Sequence, residues 1–173
     1  ALLKEDWKII VRPHPQYLRR NPEKTTIIME KYNEEIQSSK LQFQTDFSSN
    51  STVFESDILI TDWSTIAFEY SFTTKRPTIF INTKMKVVNQ EYEKIPFVPK
   101  DILWRDEIGK SVDKSDVEII PSIINDFLMS TAAYETRINS VRDMAVSNIG
   151  FSGKTAAGYI LKQLTAKKTI RGN

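Results

Sequence analysis

"SDILITDWSTIAFEY" (residues 56–70) is the stretch whose reading decides the fold. Its first half, "DILIT" (57–61), is contiguous, apolar and β-branched. That is the pattern of a strand buried on both faces of a parallel sheet, and it predicts the central strand here. The continuation "WSTIAFEYSF" (63–72) predicts a helix. In an open parallel sheet, ligands bind beyond the carboxyl ends of the strands. If the helix begins near Ser64, its first N–H groups lack intrahelical partners and its positive dipole end faces that edge. Ser64 and Thr65 add hydroxyls, so a phosphate would meet backbone donors, side-chain donors and a favourable field in one place. Thr65 and Glu69 are four residues apart and share a helix face. One turn further in, Glu69 could accept hydrogen bonds from sugar or polyol hydroxyls, or pair with Lys75 or Arg76. Asp62 and Ser64 are also ordinary capping residues.

Upstream, "WKIIV" (7–11) reads as a buried strand and "LQFQT" (41–45) as a half-buried one. Between them "NPEK" (21–24) combines an N-cap residue, proline at the first helical position and an acid in the first turn. A helix should follow, with Ile28, Tyr32 and Ile36 on one face. "SSNSTVFES" (48–56) supplies a polar loop and one helical turn. Downstream, "PTIFI" (77–81) is a strand and "IGKSV" (108–112) a last short one. Helices are expected at about 117–129, 134–146 and 154–164, the last capped by Ser152. Strands alternating with helices mean a doubly wound parallel sheet covered on both faces, here of about four to six strands. Residues 84–106 form a long, weakly patterned connection, and such loops are usually functional or mobile.

The chain's one histidine, His14, stands between Pro13 and Pro15, two residues after Arg12 at the first strand's exit. Each proline holds its own φ at about −65° and pushes the preceding residue toward extended geometry. The strand should therefore stop here, with no helix beginning at once, leaving a cation and an imidazole on a rigid bend. Alone, such a segment is a turn that happens to contain histidine. The joint pattern says more. Two polar clusters follow apolar strands, and together they hold a cation, an imidazole, hydroxyls and an acid. A diphosphate-linked ligand needs that set.

The 173 residues amount to one domain (1–164) and a basic tail (165–173) expected to be disordered. Hydrophobic residues make up 40% and charged ones 27%, a globular balance. A net charge of +2 gives no electrostatic basis for nucleic-acid binding. The absence of cysteine excludes a disulfide scaffold and a thiolate metal site; no metal and no cofactor are expected. No apolar run approaches the ~20 residues of a membrane span, and no signal-peptide pattern opens the chain. The start at Ala1, almost directly before a strand, reads as a piece of a longer protein.

With "RPHP" and "SDILITDWSTIAFEY" both in view, the chain resembles the carboxy-terminal half of the CDP-glycerol glycerophosphotransferase family, the teichoic-acid and capsule-type transferases. Members carry R-x-H-P after a strand, then a strand ending in D-[YW]-S-[ST]-x-x-F-[DE]. Here these are Arg12-Pro13-His14-Pro15 and Asp62-Trp63-Ser64-Thr65-Ile66-Ala67-Phe68-Glu69. Trp63 departs from the commoner Tyr but stays aromatic. "KRPTIFI" and "EYEKIPFVPKDILWRDEIG" also resemble capsule-type relatives, so the likeness spans residues 7–109.

The resemblance implies a Rossmann-like lobe, one of the two in a GT-B transferase, with the active site in the cleft between lobes. Arg12 and His14 would then face the phosphates of a CDP-linked donor as catalytic residues. Ser64 and Thr65 would hold the diphosphate, Glu69 would approach the nucleotide or the transferred group, and Asp62 would be a further substrate-binding residue. The reaction implied moves glycerol phosphate, or a similar polyol phosphate, to a polymer or lipid-linked acceptor in teichoic-acid or capsule polysaccharide synthesis. It implies a cytoplasmic enzyme, peripheral at the inner face of the plasma membrane, with an amino-terminal lobe absent from this chain and no activity without it. His14 could be the base for the acceptor hydroxyl or a phosphate ligand; the sequence leaves both open.

A GT-B glycosyltransferase using a nucleotide sugar would share the same diphosphate site. A non-catalytic nucleotide-binding α/β module is a further alternative. A receiver domain lacks support, because no paired acids follow the first strand. "GFSGKTAAG" (150–158) superficially resembles a phosphate-binding loop, but it follows a helical stretch rather than a strand.

Overall fold

The structure, a computed structural model, describes residues 2–85, 89 and 91–171, the last five of them (167–171) as backbone only. Strand β1 (Ile9–Val11) is followed by helices α1 (Pro15–Arg20), α2 (Pro22–Lys31) and α3 (Asn33–Gln37), then β2 (Leu41–Phe43) and α4 (Ser51–Glu55). The middle of the chain holds β3 (Leu59–Thr61), α5 (Ile66–Thr74) and β4 (Thr78–Asn82). The short helices α6 (Lys100–Leu103) and α7 (Arg105–Ile108) then lead into β5 (Gly109–Asp113). Helices α8 (Ile120–Met129), α9 (Thr131–Ala145) and α10 (Ser152–Arg171) complete the order. Helix α10 thus runs through most of the segment read as a tail. No helix among the described residues is long and apolar enough to cross a membrane.

The five strands among the described residues are all parallel to their partners, in two sheets rather than one. β1 pairs with β2, from Ile9 opposite Leu41 to Val11 opposite Phe43. β4 lies between β3 and β5. The expected centre was "DILIT", and that is corrected here: β3 is the edge of its sheet and "PTIFI" supplies the centre. The two runs look alike, but their burial differs. Leu59, Ile60 and Thr61 are only half-buried, whereas Thr78, Ile79 and Phe80 are fully buried.

The three-stranded sheet is covered on both faces. Successive side chains of a strand point to opposite faces. Ile79 joins Val112 and the Ile120, Ile123, Ile124 and Phe127 stripe of α8. Phe80 joins Ala67 of α5, Ile108 of α7, and Ile138 and Val141 of α9. Leu2 and Trp7, which precede β1, pack on the α8 cluster.

Three local expectations change. Helix α1 begins directly at Pro15, because proline is well suited to the first helical position and His14, extended at φ −60° and ψ 137°, serves as its N-cap. The helix after "NPEK" breaks at Tyr32, whose φ of −112° leaves helical geometry, so Ile28 and Ile36 fall on separate helices. Ser152 is the first residue of α10 rather than its cap: its hydroxyl donates to the carbonyls of Ser147 and Asn148.

Helix α5 carries the candidate ligand residues at its start, and its anchoring fixes them. Tyr70 is fully buried; its hydroxyl donates to the Ser56 carbonyl at 3.0 Å, and burial holds its pKa above the ordinary tyrosine value. The buried Ser71 and Thr78 hydroxyls share a hydrogen bond of 3.0 Å between α5 and β4. Ser71→Ala should leave the Thr78 hydroxyl short of that partner and destabilise the protein by about 1–3 kcal/mol. Urea unfolding checks this; an unchanged midpoint would contradict it.

Candidate functional site

A cleft of about 1490 Å³ is lined by residues of β1 and β3. Ile9, Ile10 and Val11 of β1 and Leu59, Ile60 and Thr61 of β3 are among its lining residues. At the carboxyl ends of these strands the walls are Arg12, His14, Asp62, Trp63, Ser64 and Thr65. Five of the six candidate residues therefore converge on one cavity, although half a hundred residues separate the two segments. Glu69 stands apart: it is exposed on α5 and lines neither this cleft nor the pocket beside it.

His14 is held from two sides. Its carbonyl accepts from the N–H groups of Tyr17 and Leu18, and its Nδ1 accepts from the N–H of Gln16 at 3.1 Å. An accepting Nδ1 places the proton of the neutral ring on Nε2. The free nitrogen of this imidazole is therefore a donor. Arg12 lies with its guanidinium 5.3 Å from the Phe47 ring centroid, and its Nη1 is buried without a hydrogen-bond partner among the described residues. Nearby Asp46 is fully exposed. The backbone N–H and hydroxyl of Ser48 hold its carboxyl below the ordinary value, with a smaller contribution from Arg12.

Across the cleft, α5 begins at Ile66 rather than near Ser64, with Thr65 as N-cap. No side chain caps it, so the capping role open to Asp62 and Ser64 is not used. The Ser64 carbonyl accepts from Ala67, and the Thr65 carbonyl from Phe68 and Glu69. Their hydroxyls make no hydrogen bond among the described residues and remain available to a ligand. Trp63 is pinned at this corner: its Nε1–H donates to the Thr83 carbonyl at 2.9 Å.

A second pocket, of about 810 Å³, shares the wall Asp62, Trp63, Ser64 and Thr65 with the first. On its own side it has Phe68, Phe80, Tyr92, Phe97 and Arg105. Sequence reasoning missed Arg105, which lies in a stretch with too little periodicity to assign it a face. The adjacency of Trp104 and Arg105 to a strand-forming run was the one available signal. The Arg105 guanidinium lies 3.9 Å from the Trp63 ring centroid and 4.7 Å from that of Phe80. Burial pushes its pKa below the ordinary arginine value, opposed by the charges of Asp106 and Asp62.

No curated protein and no solved structure matches the chain. The family model for CDP-glycerol:poly(glycerophosphate) glycerophosphotransferase matches residues 1–96 of the 173. That span contains β1 to β4 and both segments that meet at the larger cleft. The chain belongs to the CDP-glycerol:poly(glycerophosphate) glycerophosphotransferase family.

Proposed function

We propose that this chain is the donor-binding lobe of a two-lobed, GT-B transferase that moves glycerol phosphate, or a similar polyol phosphate, from a CDP-linked donor to an acceptor hydroxyl. The observation that carries the reading is the meeting of Arg12 and His14 with Asp62, Ser64 and Thr65 in one cleft. The diphosphate lies against the start of α5, where the Ser64 and Thr65 hydroxyls donate to it and the helix dipole favours its charge. Arg12 faces the same anion. Its buried, unpaired Nη1 is the kind of donor that a phosphate oxygen satisfies.

In the reaction, the acceptor oxygen attacks the distal phosphorus, the bond from that phosphorus to the bridging oxygen breaks, and CMP leaves with that oxygen. The acceptor proton goes to a base. The Nδ1 bond to Gln16 favours His14 as a donor to the transferred phosphoryl group through Nε2–H rather than as that base. The base then comes from the other lobe, and this chain alone binds donor without turning it over. The acceptor is a polymer end or a lipid-linked chain in cell-surface polymer synthesis, so the full enzyme works at the inner face of the membrane.

Titration with CDP tests this. Amide resonances of Arg12, His14 and residues 62–66 should shift together, and Ser64→Ala should weaken binding. A hydrogen bond to a charged group contributes about 1.5–3 kcal/mol, roughly ten- to hundredfold in affinity. Saturation without a shift in either segment would sink the donor reading. An equal response to ADP and UDP would keep the diphosphate site and remove the cytidine preference.

A further inference from the structure

Arg105 is 5% exposed, yet its Nε and Nη2 are buried without a hydrogen-bond partner among the described residues. Leaving charged donors unmatched in a protein interior is costly. The aromatic faces of Trp63 and Phe80 hold the guanidinium in place but accept no conventional hydrogen bond from it. The neighbouring acids do not close the gap. Asp106 accepts the backbone N–H of Ser111 at 2.8 Å, and neither it nor Asp62 hydrogen-bonds Arg105. Glu93 and Asp101 sit on the exposed rim. Among the described residues no acceptor satisfies these donors, which leaves the guanidinium open to one supplied by a ligand.

The pocket's remaining chemistry narrows what that acceptor is. A guanidinium fork matches a carboxylate or a phosphate. The hydroxyls of Ser64 and Thr65 on the shared wall supply further donors, which suits the larger acceptor capacity of a phosphate. Phe68, Tyr92 and Phe97 add apolar lining. We propose that the pocket walled by Arg105, Trp63, Phe68, Tyr92 and Phe97 is a second anion subsite, taking the phosphate of an ester whose carbon portion is aromatic or aliphatic. Ser64 and Thr65 line both cavities, so the subsite shares those hydroxyls with the donor reading; Arg105 lines only this pocket and Arg12 only the larger cleft, which lets the two be tested apart. Its position across the shared wall lets two phosphorylated ligands approach the start of α5 from opposite sides.

The test is titration of the 173-residue chain with phenyl phosphate, hexyl phosphate and inorganic phosphate, following the arginine Nε–H resonances. At least one ester should bind tenfold or more tightly than inorganic phosphate and move the Arg105 resonance, assigned with Arg105→Lys. The tighter of the two esters tells an aromatic source from a lipid-like one. Arg105→Gln should weaken the ester at least tenfold, while Arg12→Gln changes it less than twofold. Ester affinity equal to that of inorganic phosphate, a silent Arg105 resonance, or undiminished binding by Arg105→Gln each overturns the subsite. Should Arg105→Gln fail to fold, the wild-type resonance shift decides.

Discussion

In a full-length transferase carrying this lobe, His14→Ala should lower kcat by roughly a hundredfold or more, the range for a lost acid–base group or oxyanion donor. The structure turns this into a discriminating series, because the two ring nitrogens do different work. Nδ1 caps α1 by accepting from Gln16, which leaves Nε2–H as the ring's other donor on a residue that lines the cleft. Asparagine can replace the cap but does not reach the Nε2 position. Glutamine places an amide N–H near that position and cannot act as a base. His14→Asn should therefore be as slow as His14→Ala while regaining the cap's contribution of about 1 kcal/mol to stability. His14→Gln should recover at least tenfold of the lost kcat. Steady-state rates with melting curves on the three variants check both parts. A glutamine enzyme as slow as the alanine one would make His14 the base.

Gly109→Ala should destabilise the protein by about 3 kcal/mol, the upper part of the range for overpacked sites. Gly109 opens β5 and pairs with Thr78 of β4. A Cβ there would lie 1.8 Å from the Thr78 carbonyl oxygen and 2.7 Å from its carbonyl carbon. The φ of −179° is ordinary extended backbone, so the constraint is space rather than conformation. Relief requires moving β5 off the central strand, since the obstacle is backbone and cannot swing aside. The melting temperature should fall by about 10 °C. An alanine variant with an unchanged denaturation midpoint would refute the close approach.

Local patterns carried most of the element order, because strand and helix periodicity are properties of neighbouring residues. "DILIT" and "PTIFI" were both legible as strands. Their ranking was not, since the central strand is chosen by which helices cover each face, and α8 and α9 lie far downstream. The convergence of "RPHP" with "DWST" was legible through a topological rule: parallel strands present their exits to the same edge. The start of α1 was misjudged because proline restricts the residue before it while favouring a helix at its own position. Arg105 was invisible for another reason. Its surroundings are the rings of Trp63 and Phe80, from two other elements, and no spacing within "DILWRDEIG" announces them. Glu69 was grouped with Thr65 by helical spacing, and its N–H does bond the Thr65 carbonyl, but only Thr65 lines the cavities.

The absence of a hydrogen-bonded ladder between β1 and β3 has a mechanical meaning. Leu2 and Trp7, just before β1, pack with Ile58 and Ile60 on the α8 cluster, contacts without direction. A ladder holds its register residue by residue, whereas greasy contacts let packed elements slide slightly before any bond breaks. A seam of this kind is expected to slide more readily than a laddered one, with Arg12 and His14 following β1 and Ser64 and Thr65 following β3. A dianion clasped by both segments would act as the missing rung, and the stiffness of the lobe would then report whether the cleft is full.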